Sequence, residues 1–132
     1  MAAPPATGQL RGVASTHDVG RRFEDLAERH LLSRGWLVLD RNVRFGRKEV
    51  DLVVARGDVV AFVEVKGRRG PRYGHPLESI TWRKRREIAC VARWWIERFG
   101  RPGQVFRFDA VAVERVPGGH LRVRHVEDAW RL

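Results

Sequence analysis

Apolar residues dominate two neighbouring segments, residues 49–55 and residues 59–66, and polar positions within them recur with a period of two. This pattern predicts two β-strands joined by a short turn at Gly57 and Asp58. Both faces of the hairpin are apolar near the turn, so we expect other parts of the protein to cover it on both sides. Charged side chains inside such a hairpin are therefore expensive unless they have partners.

Acidic residues nevertheless interrupt this hairpin. With a two-residue turn, facing residues have numbers that sum to a constant, which places Asp51 opposite Glu64. Glu49 faces Lys66 by the same rule, whereas a three-residue turn would place the two acids diagonally on one face. Facing carboxylates roughly 5 Å apart repel each other unless a positive group lies between them. The pattern favours a divalent-cation site over a solvated sheet end in which Glu49 and Lys66 form an ordinary ion pair.

Helical spacing of apolar residues predicts one helix before the hairpin and one after it. The first begins near Thr16 and ends before Gly35, and the second covers residues 78–99 and ends before Gly100. Three further segments are predicted to be strands: residues 36–39, 104–114 and 121–127. This order, with a long crossover after the hairpin, predicts an α/β fold whose sheet combines an antiparallel hairpin with a parallel strand.

Two segments lack an apolar pattern. Residues 1–15 are rich in Ala, Pro and Gly and are interpreted as a flexible leader, which leaves residues 16–132 as a single domain. Residues 67–76 combine glycine and proline with three arginines and are interpreted as a mobile basic loop. The predicted fold therefore begins near residue 16.

The charge balance favours a polyanionic partner. The 132 residues include 26 Lys and Arg but only 16 Asp and Glu, a formal net charge of +10. Attraction to phosphate accounts for much of the nonspecific affinity of basic proteins for nucleic acid. Genome base composition would explain a preference for arginine over lysine but not this excess, and a role of the charge in solubility is the remaining alternative.

Cysteine and histidine usage narrows the metal chemistry. Cys90 is the single cysteine, which excludes an internal disulfide and favours a reducing compartment. The five histidines show no HxxxH or HExxH spacing, so we expect any metal to bind oxygen ligands. No apolar run is long enough to span a membrane. The sequence therefore predicts a cytoplasmic protein that does not contact a membrane.

One residue in each predicted helix belongs with the hairpin acids. Glu24 borders the apolar stripe of the first helix and can face the sheet, although a solvated acid beside Arg21 and Arg22 is the alternative. Lys84 lies within the apolar stripe of the second helix, from which it extends to solvent or reaches a phosphate. Both are candidate site residues.

The order of Glu24, Asp51 and then Glu64-Val65-Lys66 resembles the PD-(D/E)xK nuclease superfamily, whose restriction-endonuclease-like core has the order αβββαβ. More closely, the chain resembles the bacterial YraN family of predicted endonucleases, which are similar in fold to archaeal Holliday-junction resolvases. The motifs are GRRFEDLA at residues 20–27, RN at 41–42, EVDLV at 49–53, FVEVK at 62–66, the stretch 74–84 and RFD at 107–109.

The chain departs from the usual family pattern at two positions. Phe23 and Lys48 stand where the family usually has glycine, next to Glu24 and Glu49 respectively. Neither difference removes a catalytic group. We expect Phe23 to tilt the first helix and shift Glu24, which makes Glu24 the site residue whose position depends most on the structure.

The resemblance implies a metal site and a role for each residue. Asp51 and Glu64 would bind Mg²⁺, or Mn²⁺ in its place, with the backbone carbonyl of Val65 as a further ligand. Lys66 would orient or deprotonate the attacking water or stabilise charge at phosphorus, and Glu24 would contact the metal through water. The candidate phosphate contacts are Arg68, Arg69, Arg72, Arg83, Lys84, Arg85 and Arg86.

These roles imply a metal-dependent endonuclease that hydrolyses phosphodiester bonds in DNA, at branched or damaged structures by analogy with the resolvases. The resemblance also allows a resolvase-like homodimer. Two alternatives stay open. The first is a basic nucleic-acid-binding module, or recruiter, that keeps the nuclease fold without cutting. The second is a protein-interaction factor whose basic surface binds an acidic partner, which salt-dependent affinity for DNA would argue against.

Overall fold

The computed structural model describes residues 16–68 and 75–131, which form a five-stranded sheet with one α-helix on each face. The elements, in chain order, are α1 (Thr16–Ser33), β1 (Leu37–Phe45), β2 (Lys48–Arg56), β3 (Val59–Arg68), a 3-10 turn (Pro76–Ser79), α2 (Trp82–Phe99), β4 (Val105–Arg115) and β5 (Leu121–Trp130). The predicted leader and most of the predicted basic loop, including Arg69 and Arg72, lie outside the described residues. No described helix is both long enough and apolar enough to cross a membrane.

The strands lie in the sheet in the order in which they occur along the chain. All neighbouring strands are antiparallel except β3 and β4, which are parallel because α2 carries the chain back along the sheet between them. The predicted α/β fold, with an antiparallel hairpin beside a parallel strand, is therefore confirmed. It is the mixed sheet of a restriction-endonuclease-like core.

Each helix covers one face of the sheet, because successive side chains of a strand point to opposite faces. The core under α1 contains Ala27, Leu31, Trp36, Leu52, Val54, Ala61, Val63 and Val111. The core under α2 contains Val43, Val50, Val53, Val60, Phe62, Ile80, Ile88, Val91, Ala92, Trp95, Ala110 and Trp130. The apolar runs of β2 and β3 are thus buried on both sides, as their sequence predicts.

The second helix begins later than its spacing predicts. Pro76–Ser79 forms a separate 3-10 turn, and α2 begins at Trp82 with Thr81 as its N-cap. The Thr81 hydroxyl accepts the Lys84 N–H at 3.1 Å, which satisfies one of the free donors at the start of the helix. Lys84 consequently lies in the first turn of α2.

Other differences from the prediction concern residues near chain reversals and edges. The strand predicted at residues 36–39 continues to Phe45, where a turn with Gly46 at φ +65° leads into β2. Phe99, whose helical spacing predicts a place in the core, is 53% exposed. Trp130, for which the sequence offered no role, is buried and its ring stacks on Phe108 with the ring centroids 5.3 Å apart.

Phe23 packs against Gly67, the residue that follows the predicted Glu64-Val65-Lys66 motif. A Cβ atom on Gly67 would lie 2.2 Å from Cε2 of the Phe23 ring, so the ring occupies the space of the missing side chain. The bulky Phe23 ring is thus accommodated by a glycine on β3.

We expect Gly67→Ala to lower the free energy of unfolding by about 1–3 kcal/mol, because the new methyl group and the Phe23 ring would compete for one space. Urea unfolding would measure this loss. Gly20→Ala is the control, since a Cβ atom at Gly20 meets no atom within 4 Å. Equal stability of the two variants would contradict the predicted clash.

Candidate active site

The β2–β3 pairing brings the two predicted metal-binding acids together. Val53 lies opposite Phe62, which is the register predicted for a two-residue turn. Regular pairing extends to Leu52, and at the next residue the Asp51 carboxylate accepts the Val65 N–H at 2.7 Å. A side chain rather than a backbone carbonyl therefore joins the two strands at this level.

Burial determines the protonation of the pair. Glu64 is only 4% exposed, and burial together with the neighbouring charge of Asp51 raises the pKa of Glu64 to about 8. Burial also raises the pKa of Asp51, and the two carboxyl groups hydrogen-bond to each other. In the protein without bound metal, we therefore expect Glu64 to be protonated at neutral pH and to share its proton with Asp51.

The donor set fits a hard divalent cation. Among the described residues, the buried Oε1 atom of Glu64 is one of few side-chain polar atoms without a hydrogen-bond partner. Leaving a buried acceptor unsatisfied costs about 1–3 kcal/mol, whereas a cation would satisfy this oxygen and take the place of the proton that the two carboxyl groups share. Two carboxylates supply the oxygen ligands that Mg²⁺ prefers.

The other predicted site residues surround this carboxyl pair. Burial and the charge of Asp51 raise the pKa of Glu24, so α1 brings Glu24 close to the acids. The ammonium groups of Lys84 and Lys66 oppose the burial that raises the pKa of Glu64. Charged groups from both helices and from β3 therefore lie next to the carboxyl pair: Glu24 on α1, Lys84 on α2 and Lys66 on β3.

Arg41 of β1 fixes the position of Glu24. Its guanidinium lies 2.8 Å from the Asp25 carboxylate, 3.3 Å from Glu28 and 3.9 Å from Glu24, all on α1. With this clamp on one side and the Phe23–Gly67 contact described above, Glu24 remains beside Asp51. The shift of Glu24 expected from the bulky Phe23 stays a prediction.

Glu49 does not form the cross-strand ion pair considered from the sequence. Its carboxylate accepts a hydrogen bond from Arg44 Nε at 2.7 Å, across the β1–β2 hairpin. Lys66 consequently forms no salt bridge with a residue in the described part of the chain, and its ammonium group is available for a ligand.

The predicted phosphate contacts differ in their availability. Arg83 is 87% exposed and has only a 3.5 Å contact to Glu87, and Arg86 is also exposed. Arg85, in contrast, donates hydrogen bonds to the carbonyls of Leu77 and Ile80 at 2.9 and 3.0 Å. Arg85 therefore holds the 3-10 turn against α2.

Arg85 also stacks on an exposed aromatic ring. Its guanidinium lies 4.6 Å from the ring centroid of Trp82. Arg68, at the end of β3, is half-buried.

A second polar cluster, which sequence spacing did not reveal, lies on β4 and β5. Ligand atoms of Asp109, His125 and Glu127 lie within 4.8 Å of one another, a grouping that resembles a metal site. Asp109 is fully buried, but its carboxylate already accepts from Arg107 at 3.0 and 3.1 Å and from the Asp128 N–H at 3.0 Å. His125 Nε2 lies 2.7 Å from Asp109 Oδ2. A cation here would have to displace Arg107, so the cluster is a structural network.

Comparison with known proteins identifies the family. The model of the uncharacterised protein family UPF0102 matches residues 23–113, the segment that carries Glu24, Asp51, Glu64, Lys66 and Lys84. The chain belongs to UPF0102. This is the YraN family that the sequence motifs resemble, so the resemblance is confirmed.

Relatives of similar length share the UPF0102 name. A UPF0102 protein of Rhodococcus jostii is 44% identical over 112 residues, which cover 85% of this chain and 95% of the relative. A UPF0102 protein of Symbiobacterium thermophilum is 43% identical over the same shares of the two chains. The name UPF0102 states no activity, so the chemistry of this site must be argued from its geometry.

Proposed function

We propose that this UPF0102 protein is a metal-dependent endonuclease that hydrolyses phosphodiester bonds in DNA in the cytoplasm, at branched or damaged structures. The observation that carries the proposal is the carboxyl pair formed by the buried Glu64 and the half-buried Asp51, with the ammonium groups of Lys66 and Lys84 beside it. Carboxylates that hold a cation and amines that meet phosphate oxygens are together what phosphodiester hydrolysis requires. A purely structural sheet end gains nothing from the two facing acids.

Each residue has a role that its position supports. Asp51 and Glu64 would hold Mg²⁺ or Mn²⁺ through carboxylate oxygens, with the Val65 carbonyl as the further ligand that the resemblance implies. The ion supplies positive charge that polarises the phosphate. Lys66 would orient the attacking water or stabilise negative charge at phosphorus, and Glu24 would contact the ion through water.

Lys84 and Lys66 would contact the substrate phosphate from two different elements. Lys84, fixed in the first turn of α2 by the Thr81 cap, approaches the carboxyl pair from the α2 side, while Lys66 comes from β3. Both lower the electrostatic cost of placing a polyanion next to two acids. Arg83 and Arg86, exposed on the first turns of the same helix, extend this positive surface to neighbouring phosphates.

The test is cleavage of a labelled panel of duplex, single strand, flap, four-way junction and RNA with Mg²⁺ or Mn²⁺. We expect Lys66→Ala to slow cleavage about a hundredfold or more with binding retained, because it removes a group that acts only on the reacting phosphate or water. Lys48→Ala is the matched control, since the Lys48 amine contacts Cys90 Sγ at 3.6 Å instead of the carboxyl pair.

The outcomes separate the candidate functions. Metal-dependent cutting that is lost in Asp51→Asn and Lys66→Ala but retained in Lys48→Ala would support the endonuclease and identify its preferred substrate. Salt-dependent DNA binding without metal-dependent cutting would overturn it in favour of the recruiter. Absence of DNA binding would instead favour the protein-interaction factor.

A further inference from the structure

A row of side chains leads from the carboxyl pair to the β5 edge of the sheet. Alternation along β3 places Lys66 on the same face as Glu64. The register pairs Lys66 with Ala112 of β4, and Ala112 with Arg124 of β5. Paired residues share a face, and strands are about 4.8 Å apart, so Lys66 and Arg124 begin roughly 10 Å apart with only the small Ala112 between them.

The next row contains a buried acid between basic residues. Glu114 of β4 is paired with Arg68 on one side and with Arg122 on the other. Glu114 is fully buried, yet its contacts are long: 3.4 Å from Oε1 to Arg124 and 3.6 Å from Oε2 to Arg122. Among the described residues, the Oε2 atom has no hydrogen-bond partner.

Comparison with Asp109, on the same strand, shows how unusual Glu114 is. Asp109 forms a two-pronged ion pair with Arg107 at 3.0 and 3.1 Å, which satisfies donor and acceptor together. Glu114 instead has two guanidinium groups around one carboxylate, neither in close contact. Within residues 16–68 and 75–131, most donors of Arg122 and Arg124 therefore have no acceptor, and the two side chains are 50% and 38% exposed.

We propose that Arg122 and Arg124, positioned by the buried Glu114, bind backbone phosphates of the nucleic-acid strand as it leaves the carboxyl pair towards the β5 edge. The inference rests on the proposed nuclease function and specifies which surface holds the substrate. The distance from Lys66 to Arg124, roughly 10 Å, spans about three nucleotides of one DNA strand, at 3.4 Å per nucleotide along the axis of a duplex. The family model ends at residue 113, so this surface lies beyond the part of the chain that it matches.

A simpler reading treats the β5 arginines as charges that keep an edge strand from pairing with another molecule. That role needs exposed charges only. It does not explain a carboxylate buried behind the two arginines, which costs desolvation and remains incompletely hydrogen-bonded. Positioning of the guanidinium groups for an external anion accounts for both observations.

The first test is DNA affinity without added metal, measured by fluorescence anisotropy over a range of salt concentrations. We expect Arg122→Gln/Arg124→Gln to raise Kd about tenfold or more and to reduce the slope of log Kd against log salt by about 2, because two phosphate contacts are lost. The control Arg98→Gln/Arg101→Gln also removes two charges, near the end of α2 and away from the carboxyl pair. Its Kd should change less than about twofold.

Glu114→Gln separates positioning from charge. This substitution makes the protein more basic, so electrostatics alone predicts tighter DNA binding, whereas loss of positioning predicts weaker binding. Circular dichroism would establish that the variant is folded. Weaker binding in both variants would support the inference. If the wild-type protein cuts DNA and the double variant binds DNA with wild-type affinity, the inference about Arg122 and Arg124 is overturned and the proposed nuclease function stands. If the wild-type protein binds no DNA, both the inference and the proposed function are overturned.

Discussion

Glu64→Gln is expected to slow metal-dependent cleavage by about a thousandfold or more and, at the same time, to stabilise the metal-free protein at alkaline pH. The expected loss of activity rests on the proposed role of Glu64 as a metal ligand, because a bound metal contributes several kcal/mol to catalysis. The gain in stability follows from burial, since glutamine fills the same space as Glu64 without acquiring a charge. A residue kept for its function is expected to show this combination.

The direction of the pH dependence follows from the raised pKa. Glu64 titrates at about 8 in the folded protein and near the ordinary value of 4.5 when unfolded. Below 4.5 both states are protonated, so the contribution of Glu64 to stability is fully present. As the pH rises from there through 8, the unfolded state releases its proton first, and folding loses stability on the order of a few kcal/mol.

Urea unfolding in the presence of a chelator would measure this difference. At about pH 5 wild type and Glu64→Gln should have similar free energies of unfolding, and at about pH 9 the variant should be clearly more stable. Glu78→Gln is the control, because Glu78 is exposed on the 3-10 turn. A stability difference between wild type and Glu64→Gln that does not change with pH would contradict the buried, protonated Glu64.

Asp109→Ala is expected to reduce the free energy of unfolding by about 2–4 kcal/mol, because it removes the buried carboxylate that accepts from Arg107 and leaves Arg107 paired with Glu127 alone. The Asp128 N–H and His125 also lose an acceptor. Urea unfolding at neutral pH would measure the loss.

Asp128→Asn is the control for this change, because asparagine tolerates the left-handed backbone at Asp128, where φ is 49°. Asp128 and Arg131 form an ion pair at the surface, where solvent screens the attraction, so its loss should lower the free energy of unfolding far less than Asp109→Ala does. Equal losses in the two variants would contradict the structural role of Asp109. They would also reopen the assignment of the Asp109, His125 and Glu127 cluster as a site for a ligand.

Local patterns predicted the centre of the fold well. Alternation in β2 and β3, together with Gly57 at φ +59° in the turn, determines the register, and Val53 pairs with Phe62 accordingly. The start of α2 was missed because Ile80 fits the helical stripe although its backbone is extended, at φ −107° and ψ 103°. Periodicity records which residues are buried but not the backbone conformation that buries them.

The candidate site was predictable to the extent that its residues are local in sequence. The hairpin brings Asp51 and Glu64 together through a single short turn, so spacing alone finds them. The Asp109 network depends on a register shift between Phe108 and Ala110, where β4 meets β5. An irregularity of this kind changes which side chains face each other, and a regular alternation pattern does not record it. The RFD motif at residues 107–109 was the only local sign of this cluster.

Because Asp51 accepts a hydrogen bond from the Val65 N–H, retention of Asp51 in this family would have a structural as well as a catalytic explanation. In a protein that had lost catalysis, selection for stability would still retain Asp51, because its carboxylate also joins two central strands. Glu64 has no comparable structural role, since its carboxyl group is buried and incompletely hydrogen-bonded and therefore destabilises the fold. If the proposed cleavage of DNA is the function of this family, a lineage without that activity would be expected to lose Glu64 first. The persistence of glutamate at this position, more than that of aspartate at Asp51, would be a record of continuing selection for chemistry.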